Sequence, residues 1–324
     1  MKKTIVTAFL GLFLAGFFPA TAWAQELVVG GEAVGIQIRT AGVLVAELAQ
    51  VETTEGSVCP AEEAGVEKGD FIIEIDGQKL SSASDLVEKV NCKAGQEVEL
   101  KLMRRDNSIS CKISPVQSAE NQWMLGMWLR DGVSGVGTIT YIDPENGSFG
   151  ALGHPISDTE NGIVLPVSEG NISDAEIVDV KKGAAGAPGE LNGCADVHKI
   201  LGTVEKNTVY GIFGTMKEQL KGKTLETGEP VVGKASIVST VKGREAREYA
   251  VEISRVSREG GKNHMLITVT DPELLSLTGG IVQGMSGSPI IQDGKLVGAV
   301  THVLVNDPCR GYGIFIENML DAAG

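Results

Sequence analysis

The sequence predicts a mainly β protein of about two domains. The chain has 324 residues, which is enough for roughly two domains of ordinary size. It contains 42 glycines, and short runs of valine and isoleucine recur between glycine-containing turns along most of its length. Because β-branched residues favour strands and glycine favours tight turns, this pattern indicates a turn-rich β protein and not a helical bundle.

The first 24 residues have the features of an export signal. Met1-Lys2-Lys3 is basic, Thr4 to Phe18 is apolar, and Ala22-Trp23-Ala24 provides a small-x-small end. We therefore expect residues 1–24 to be a signal peptide that is cleaved after Ala24, with an uncleaved membrane anchor as the alternative. Either way, the rest of the chain would be exported.

Charge and cysteine content exclude several classes of partner and site. The formal net charge is −14 at pH 7, which argues against nucleic acid and anionic membrane surfaces as partners. Five cysteines are an odd number for an exported chain, so at least one thiol cannot pair internally. The chain has no C-x-x-C pair, and Cys194-Ala-Asp-Val-His198 lacks a second ligand pair, so we expect neither a metal site nor a cofactor.

Residues 26 to 115 alternate short apolar strands with turns. A helix is predicted from Ser82 to Val90, because Leu86 and Val90 recur on one face and serines can cap its start. The segment Pro60 to Gly77 combines a small-residue helix, a Gly-Asp turn, a strand and an Asp-Gly hairpin. This arrangement resembles the bacterial PDZ domain, and we assign residues 25–115 to it.

The PDZ resemblance implies a peptide-binding groove. Its loop and strand edge would be formed by Val34, Gly35, Ile36, Gln37 and Ile38, where a peptide would add as an extra strand. The alternative is a closed, purely structural module whose groove is occupied from within the chain.

Residues 116–324 are assigned to a second domain. Ile113 to Asp131 is polar and irregular around Trp123 and Trp128, and we interpret it as the join. Many short strands follow, separated by turns, which favours a pair of β-barrels or a sandwich. The only helix expected in this part is Ile316 to Ala323.

A serine in a glycine-bracketed turn is the first candidate for chemistry. Ser286 stands in Gly284-Met285-Ser286-Gly287-Ser288-Pro289, which is followed by an Asp293-Gly294 hairpin. The glycines permit a sharp turn in which the amides of Gly284 and Ser286 form an oxyanion hole and the hydroxyl of Ser286 enters a cleft as nucleophile. An ordinary hairpin turn is the alternative. An α/β-hydrolase is excluded because G-x-S-x-G is incomplete and no strand-helix alternation surrounds the serine.

A serine nucleophile needs a base, and the chain has four histidines. His154 follows a strand in a glycine turn that would expose its ring. His302 also follows an apolar strand, but it is better placed to line a specificity pocket beside the serine. His198 and His264 lie among polar residues and are interpreted as surface groups.

A third residue should orient the base, and several aspartates are available. Asp271 ends a predicted strand and stands 15 residues before the serine, so the two strand ends could share a cleft. Asp158 is the local alternative, four residues after His154. Spacing does not separate these two, and the other aspartates considered are Asp174 and Asp196.

Several separated motifs point to one family. They are the serine turn, Gly135-Val136-Gly137-Thr138, Tyr141-Ile142-Asp143-Pro144, Gly150-Ala151-Leu152-Gly153-His154, and Gly298-Ala299-Val300-Thr301-His302-Val303 with Asn306-Asp307-Pro308. Together they resemble the SpoIVB peptidase, the stage IV sporulation serine protease of endospore-forming bacteria. The resemblance implies a PDZ domain followed by a trypsin-like double β-barrel serine peptidase domain.

The same resemblance implies a catalytic triad of His154 as base, Asp271 as orienting acid and Ser286 as nucleophile. The serine turn is also similar to the trypsin-like Gly-Asp-Ser-Gly-Gly-Pro, from which it departs at Met285 and Ser288. The missing acid at position 285 removes a possible salt bridge to a new amino terminus.

The leading interpretation is an exported serine endopeptidase whose PDZ domain positions protein or peptide substrates, including its own amino-terminal region by autoproteolysis. By resemblance it would act between the two membranes around the forespore, in association with a membrane. Its partner there would be a membrane-embedded regulator of an intramembrane protease, and cleavage would release a late sporulation sigma factor. The alternative is a catalytically inactive PDZ scaffold that binds peptides for signalling.

Overall fold

The computed structural model describes residues 25–105, 107–158, 162–218, 222–259 and 262–324. The predicted signal peptide at 1–24 lies outside them, and no helix in the described part is long and apolar enough to cross a membrane. The first elements are β1 (Glu26–Val29), β2 (Ala33–Leu48), β3 (Val51–Thr53), β4 (Gly56–Val58), α1 (Pro60–Glu63), β5 (Phe71–Ile75), β6 (Gln78–Lys79), α2 (Ala83–Cys92), β7 (Val98–Arg104), β8 (Asn107–Ile113), β9 (Val116–Gln117) and β10 (Trp123–Met124).

Strands also dominate the rest of the chain, so the mainly β prediction is confirmed. The elements are β11 (Met127–Ile142), β12 (Ser148–Ala151), β13 (Val167–Lys181), β14 (Glu190–Thr208), β15 (Gly211–Met216), β16 (Thr224–Glu226), β17 (Gly233–Ser239), β18 (Arg247–Glu259), β19 (Lys262–Val269), α3 (Pro272–Thr278), β20 (Pro289–Gln292), β21 (Lys295–Leu304), β22 (Asp307–Phe315) and α4 (Ile316–Ala323).

Two closed antiparallel barrels follow from the strand pairing. In the first, β11 pairs with β2 and β12, β12 with β15, β15 with β14, β14 with β13, and β13 with β2, so the strands form a ring. In the second, β17, β18, β19, β22, β21 and β20 close in that order. Each barrel has its own apolar core. A third cluster packs the barrels together through Leu27, Tyr141, Phe213, Leu296, Ala299, Ile316 and Met319. The predicted double β-barrel is therefore confirmed.

Strand β2 is shared between the first barrel and the PDZ domain. Residues 33–40 pair with β11 on one side and β13 on the other. Beyond Gly42, which has a φ of 125°, Val43 and Leu44 pair with β5 of the PDZ core. Strand β1 likewise pairs with β11. Residues 26–40, which the sequence analysis places in the PDZ domain, thus contribute strands to the first barrel.

The predicted peptide-binding edge at Val34, Gly35, Ile36, Gln37 and Ile38 is corrected by this pairing. Gly35 lies opposite Val136 on one side and Ser173 on the other, so both backbone edges are occupied. The side chains of Val34, Ile36 and Ile38 are buried in the barrel core. Because an added strand needs free N–H and C=O groups, no peptide can add here while the barrel is closed.

The edge of β2 inside the PDZ domain is also occupied, by the beginning of β11. Leu129 pairs with Val45, and its side chain packs against the PDZ core. The Oδ2 of Asp131 accepts a hydrogen bond of 2.7 Å from the amide of Ala83 at the start of α2. The segment predicted as an irregular join therefore supplies an internal strand, in line with the closed-module alternative.

Replacing Gly35 with alanine is expected to destabilise the protein by about 1–3 kcal/mol, which is the usual cost of overpacking a filled site. A Cβ at this position would lie 2.3 Å from the Cβ of Ala195 and 2.8 Å from the Oγ of Ser173. Urea unfolding measures the change. Gly135→Ala is the matched control, since a Cβ there meets no described atom within 4 Å. Equal stability of the two variants would contradict the barrel placement of Gly35.

Candidate active site

A cleft of about 530 Å³ lies where the two barrels meet. It brings together three residues singled out in the sequence, Ser286, His154 and His302, with Gly284 beside them. Apart from the histidines, its walls carry uncharged side chains, most of them apolar: Ile36, Val133, Val136, Leu152, Pro155, Ile156, Pro188, Ile281, Val282, Val303 and Val305. The cleft can therefore accept uncharged substrate side chains next to a hydroxyl and an imidazole.

The turn that carries Ser286 depends on two glycines and is held against strand β11. Gly284 and Gly287 have φ angles of 96° and 97°, in the left-handed region that favours glycine. The carbonyl of Ser286 accepts a bond of 3.1 Å from the amide of Thr138. A Cβ on Gly287 would lie 2.1 Å from the carbonyl oxygen of Thr138, so only glycine fits between the turn and β11.

The amides of Gly284 and Ser286 are available as hydrogen-bond donors in the described structure. The two groups of a trans peptide point in opposite directions. The carbonyl of Gln283 accepts a 2.9 Å bond from the amide of Leu191, and the carbonyl of Met285 accepts a 3.0 Å bond from the amide of Ser288. The next amides, those of Gly284 and Ser286, therefore point the other way, and neither donates a hydrogen bond to any described residue.

His154 sits on a strained turn at the end of β12. Leu152 has a φ of 70°, which is uncommon for a branched apolar residue, and Gly153 follows with a φ of 69°. Leu152 is held there because it is buried and its amide donates a 3.2 Å bond to the carbonyl of Thr138. The strained turn directs the next residue, His154, into the cleft.

The imidazole of His154 is prepared to act as a base. Its Nδ1 lies 2.8 Å from the carbonyl oxygen of Pro155. Since a carbonyl only accepts, Nδ1 carries the proton and Nε2 is left as the basic atom. The ring centroid of His302 is 4.7 Å away. Burial lowers the pKa of His154, and repulsion from His302 lowers it further, against an opposing contribution from the Pro155 carbonyl. Desolvation also lowers the pKa of His302.

The hydroxyl of Ser286 donates a 2.7 Å hydrogen bond to the carbonyl of Thr301. It is not bonded to either cleft histidine in the described structure. The hydroxyl must therefore leave the Thr301 carbonyl before a histidine can accept its proton.

Asp271 is not among the described residues that line the cleft. It is the N-cap of α3, where its carboxylate accepts hydrogen bonds from the amides of Ala250, Glu273 and Leu274. Helix α3 was not expected from the sequence, although Asp271, Pro272 and a terminal glycine, Gly279, are ordinary helix boundary residues. The structure thus brings together two members of the predicted triad and holds the third elsewhere.

The other candidate acids are also engaged outside the histidine pair. Asp158 is buried and forms an ion pair of 3.1 Å with Arg130. Asp174 lies beside Arg244, and Asp196 accepts a bond from the amide of His198. In the described residues, the group that contacts the Nδ1 of His154 is the Pro155 carbonyl and not a carboxylate.

Substituting Asp271 with alanine is expected to lower the free energy of unfolding by about 0.5–2 kcal/mol, the usual cost of losing an N-cap. Because its carboxylate binds helix amides, we expect kcat of the folded variant to stay within about tenfold of wild type, whereas loss of a triad acid costs about 10⁴-fold. Thermal unfolding and peptide hydrolysis measure the two effects. Asp271→Asn, which keeps the cap acceptor, is the control. A fall in kcat of about 10⁴-fold in folded Asp271→Asn would instead support Asp271 as the acid of the catalytic triad.

Three further residues, to which the sequence analysis gave no role, form hydrogen bonds at or beside the turns that carry Ser286 and His154. The hydroxyls of Thr138 and Thr140 donate to the carbonyls of Gly284 and Gly287, at 2.9 and 2.7 Å. The side chain of Asn207 supports the segment after His154: it accepts from the amide of Ile156 and donates to the carbonyls of Ile156 and Leu165. Thr138 belongs to a motif of the SpoIVB resemblance, whereas no sequence signal pointed to Asn207.

The lowered pKa of His154 predicts the acid side of the activity profile. A base whose pKa lies below the ordinary 6.5 stays neutral to lower pH, so the midpoint of the acid limb of kcat/KM should lie below pH 6.5. The variant His302→Gln removes one lowering influence, and we expect it to move this limb to higher pH. Profiles of kcat/KM from pH 4.5 to 8 measure both. If the acid limb of the wild-type profile had its midpoint above pH 6.5, this would contradict the lowering of the His154 pKa by burial.

Comparison with known proteins supports a PDZ domain followed by a peptidase domain. The SpoIVB peptidase S55 family model matches residues 121–320, and a PDZ domain model matches residues 34–114. A putative zinc metalloprotease of Bartonella henselae is 36% identical over 87 residues, which cover 27% of this chain and 24% of that protein. The chain thus spans about a quarter of the length of that relative.

Solved structures give weaker likenesses. A protease of M. tuberculosis in its inactive form is 14% identical, with a TM-score of 0.36, over 58% of this chain and 84% of that chain. A thermostable serine protease from an extremophilic microorganism is 12% identical, with a TM-score of 0.36, over 59% and 91% of the two chains. The PDZ domain of an SdrC-like protein from Listeria monocytogenes is 22% identical, with a TM-score of 0.23, over 28% and 87%.

The peptidase family model spans more than half of the chain, and it includes the turn of Ser286, the turn of His154 and the second cleft histidine, His302. The chain therefore belongs to the SpoIVB peptidase S55 family and carries a PDZ domain.

Proposed function

We propose that this protein is a serine endopeptidase in which Ser286 is the nucleophile and His154 is the general base. The observation that carries the proposal is the shared cleft, where a serine hydroxyl and a histidine with a free Nε2 lie beside two amides that donate to no described group. Family membership supports the same class of reaction.

Each residue has a defined part in the reaction. Ser286 turns from the Thr301 carbonyl toward His154, passes its proton to Nε2 and attacks the peptide carbonyl carbon. The amides of Gly284 and Ser286 bind the oxyanion. His154 then gives the proton to the leaving nitrogen, and water attacks the acyl-enzyme with His154 again as base.

The Pro155 carbonyl has the orienting part in this scheme. By accepting from Nδ1, it selects the tautomer and stabilises the imidazolium that forms after proton transfer. A neutral carbonyl does this less well than a carboxylate, because a charged acceptor makes the stronger hydrogen bond to a cation. A slow peptidase is the expected consequence.

The biological setting is proposed from the family. The protein would be exported and act between the two membranes around the forespore, in association with a membrane. Its proposed substrates are a membrane-embedded regulator of an intramembrane protease and its own amino-terminal region, and cleavage would lead to release of a late sporulation sigma factor. Immunoblotting of that regulator in sporulating cells with and without active protein tests this placement, and an unchanged regulator would contradict it.

Covalent labelling tests the chemistry. A fluorophosphonate should add to Ser286 of the wild-type protein, as located by mass spectrometry of the labelled peptide, and should block casein hydrolysis in proportion to labelling. An inactive peptide-binding scaffold is the alternative, and the bond from Ser286 to the Thr301 carbonyl is the observation that favours it. Absence of both labelling and hydrolysis in folded protein would support the scaffold.

A further inference from the structure

Thr138 connects the nucleophile turn to the base turn. It is fully buried on β11 of the first barrel. Its amide donates to the carbonyl of Ser286 at 3.1 Å, its hydroxyl donates to the carbonyl of Gly284 at 2.9 Å, and its carbonyl accepts from the amide of Leu152 at 3.2 Å. One residue of the first barrel therefore touches both turns, and two of its three bonds reach into the second barrel.

The hydroxyl of Thr138 binds the peptide group that lies between the two proposed oxyanion amides, those of Gly284 and Ser286. The carbonyl of Gly284 belongs to the peptide between Gly284 and Met285. Since the two groups of a trans peptide oppose each other, holding this carbonyl on Thr138 keeps the Met285 amide on the other side, where it donates to the carbonyl of Val282 at 3.1 Å. Rotation of this peptide changes the ψ of Gly284 and the φ of Met285, and it would therefore disturb the positions of the two amides on either side, those of Gly284 and Ser286.

The identity of residue 285 removes one other way of holding the turn, an ion pair of its side chain. The trypsin-like turn carries an acid at this position, whereas here Met285 is fully buried in the apolar core of the second barrel. A methionine side chain provides no charge for an ion pair. The turn must be held by its backbone, and the side-chain donor that reaches the carbonyl of Gly284 in the described structure is the Thr138 hydroxyl.

We infer that Thr138 is a positioning residue of the oxyanion hole, whose hydroxyl holds the Gly284 carbonyl so that the amides of Gly284 and Ser286 stay turned toward the substrate oxygen. The inference rests on the proposed serine peptidase function.

A matched pair of variants tests this role. Thr138→Val deletes the hydroxyl at nearly constant volume, and Thr138→Ser keeps it. Thr140→Val is the control, because Thr140 is equally buried on the same strand but binds the carbonyl of Gly287, beyond the nucleophile. The measurements are kcat and KM on a peptide substrate and the inhibition constant of a matching peptide aldehyde, whose tetrahedral adduct places an oxygen at the two amides.

We expect Thr138→Val to lower kcat by about 10- to 100-fold, which is less than complete loss of an oxyanion donor, and to weaken the aldehyde by a similar factor. Its KM should change by less than about threefold, and Thr138→Ser should recover most of kcat. Thr140→Val should lower kcat by less than about fivefold. If Thr138→Val does not fold, as judged by circular dichroism, Thr138→Ala carries the same expectations.

Two results would overturn the inference. The first is equal kcat values for the Thr138→Val and Thr140→Val variants. The second is a fall in kcat for Thr138→Val with unchanged aldehyde binding, which would show that the two amides are intact and that the activity is lost elsewhere. Failure of the proposed function is distinguishable, because the wild-type protein would then neither hydrolyse peptide nor react with fluorophosphonate.

Discussion

Replacement of Ser286 with alanine is expected to lower kcat for peptide hydrolysis by about 10⁴- to 10⁶-fold, as in other serine peptidases that lose the nucleophile. Removal of the hydroxyl abolishes the acyl-enzyme route and leaves only binding and the oxyanion amides. The folded structure should persist, because the hydroxyl makes a single hydrogen bond, to the Thr301 carbonyl. Casein hydrolysis measures activity, and thermal unfolding verifies the fold.

Ser288→Ala is the matched control for this substitution. Ser288 lies two residues away in the same turn and is fully buried, and its hydroxyl has no hydrogen-bond partner among the described residues. Its removal should leave kcat unchanged and stability unchanged or increased, since an unpaired buried hydroxyl is unfavourable. A Ser286→Ala protein that hydrolyses casein as fast as the Ser288→Ala protein would rule out Ser286 as the nucleophile.

Local features of the fold were accessible from the sequence because local residues determine them. Ser82 caps α2 through a bond from the Asp85 amide, as the predicted helix start requires. Asp293 and Gly294 have φ angles of 50° and 76°, which suit the two-residue hairpin predicted there. The fold class and both families follow from many such signals and are confirmed.

The partners of a strand were not accessible in the same way. Alternating apolar residues identified the strand around Ile36, but the same pattern suits a PDZ edge and a closed barrel. The strands that actually pair with this segment contain residues more than ninety positions away, such as Val136 and Ser173. The assignment of Gly35 to a peptide groove failed for this reason.

In the candidate site, too, features set by neighbouring residues could be predicted, whereas contacts between distant residues could not. His154 and Ser286 were recognised because glycines around them indicate exposed turns. Asp271 was interpreted as the acid at the end of a strand, although Asp271 and Pro272 also form a helix start, and the structure uses them in that way. The hydroxyl of Thr138 joins residues 146 positions apart, a contact that no local pattern specifies.

Substituting His154 with glutamine is expected to reduce kcat/KM by about 10⁴-fold, because the serine hydroxyl then has no base of suitable pKa. His302→Gln is the matched control: its ring lies 4.7 Å from that of His154 and lines the same cleft. In our scheme His302 affects the pKa of the base but does not accept the proton, so its loss should cost less than about tenfold.

The double variant His154→Gln/Ser286→Ala distinguishes a catalytic unit from two independent effects. If His154 acts only by activating Ser286, then once the hydroxyl is gone the histidine has nothing to deprotonate, and the double variant should be no slower than Ser286→Ala alone. Fluorophosphonate labelling should likewise be slow in His154→Gln and fast in His302→Gln. Both imidazoles lie in the cleft with Ser286, and in our scheme they differ in that His154 accepts the serine proton and His302 does not. Fast labelling of His154→Gln and slow labelling of His302→Gln would therefore identify His302 as the base.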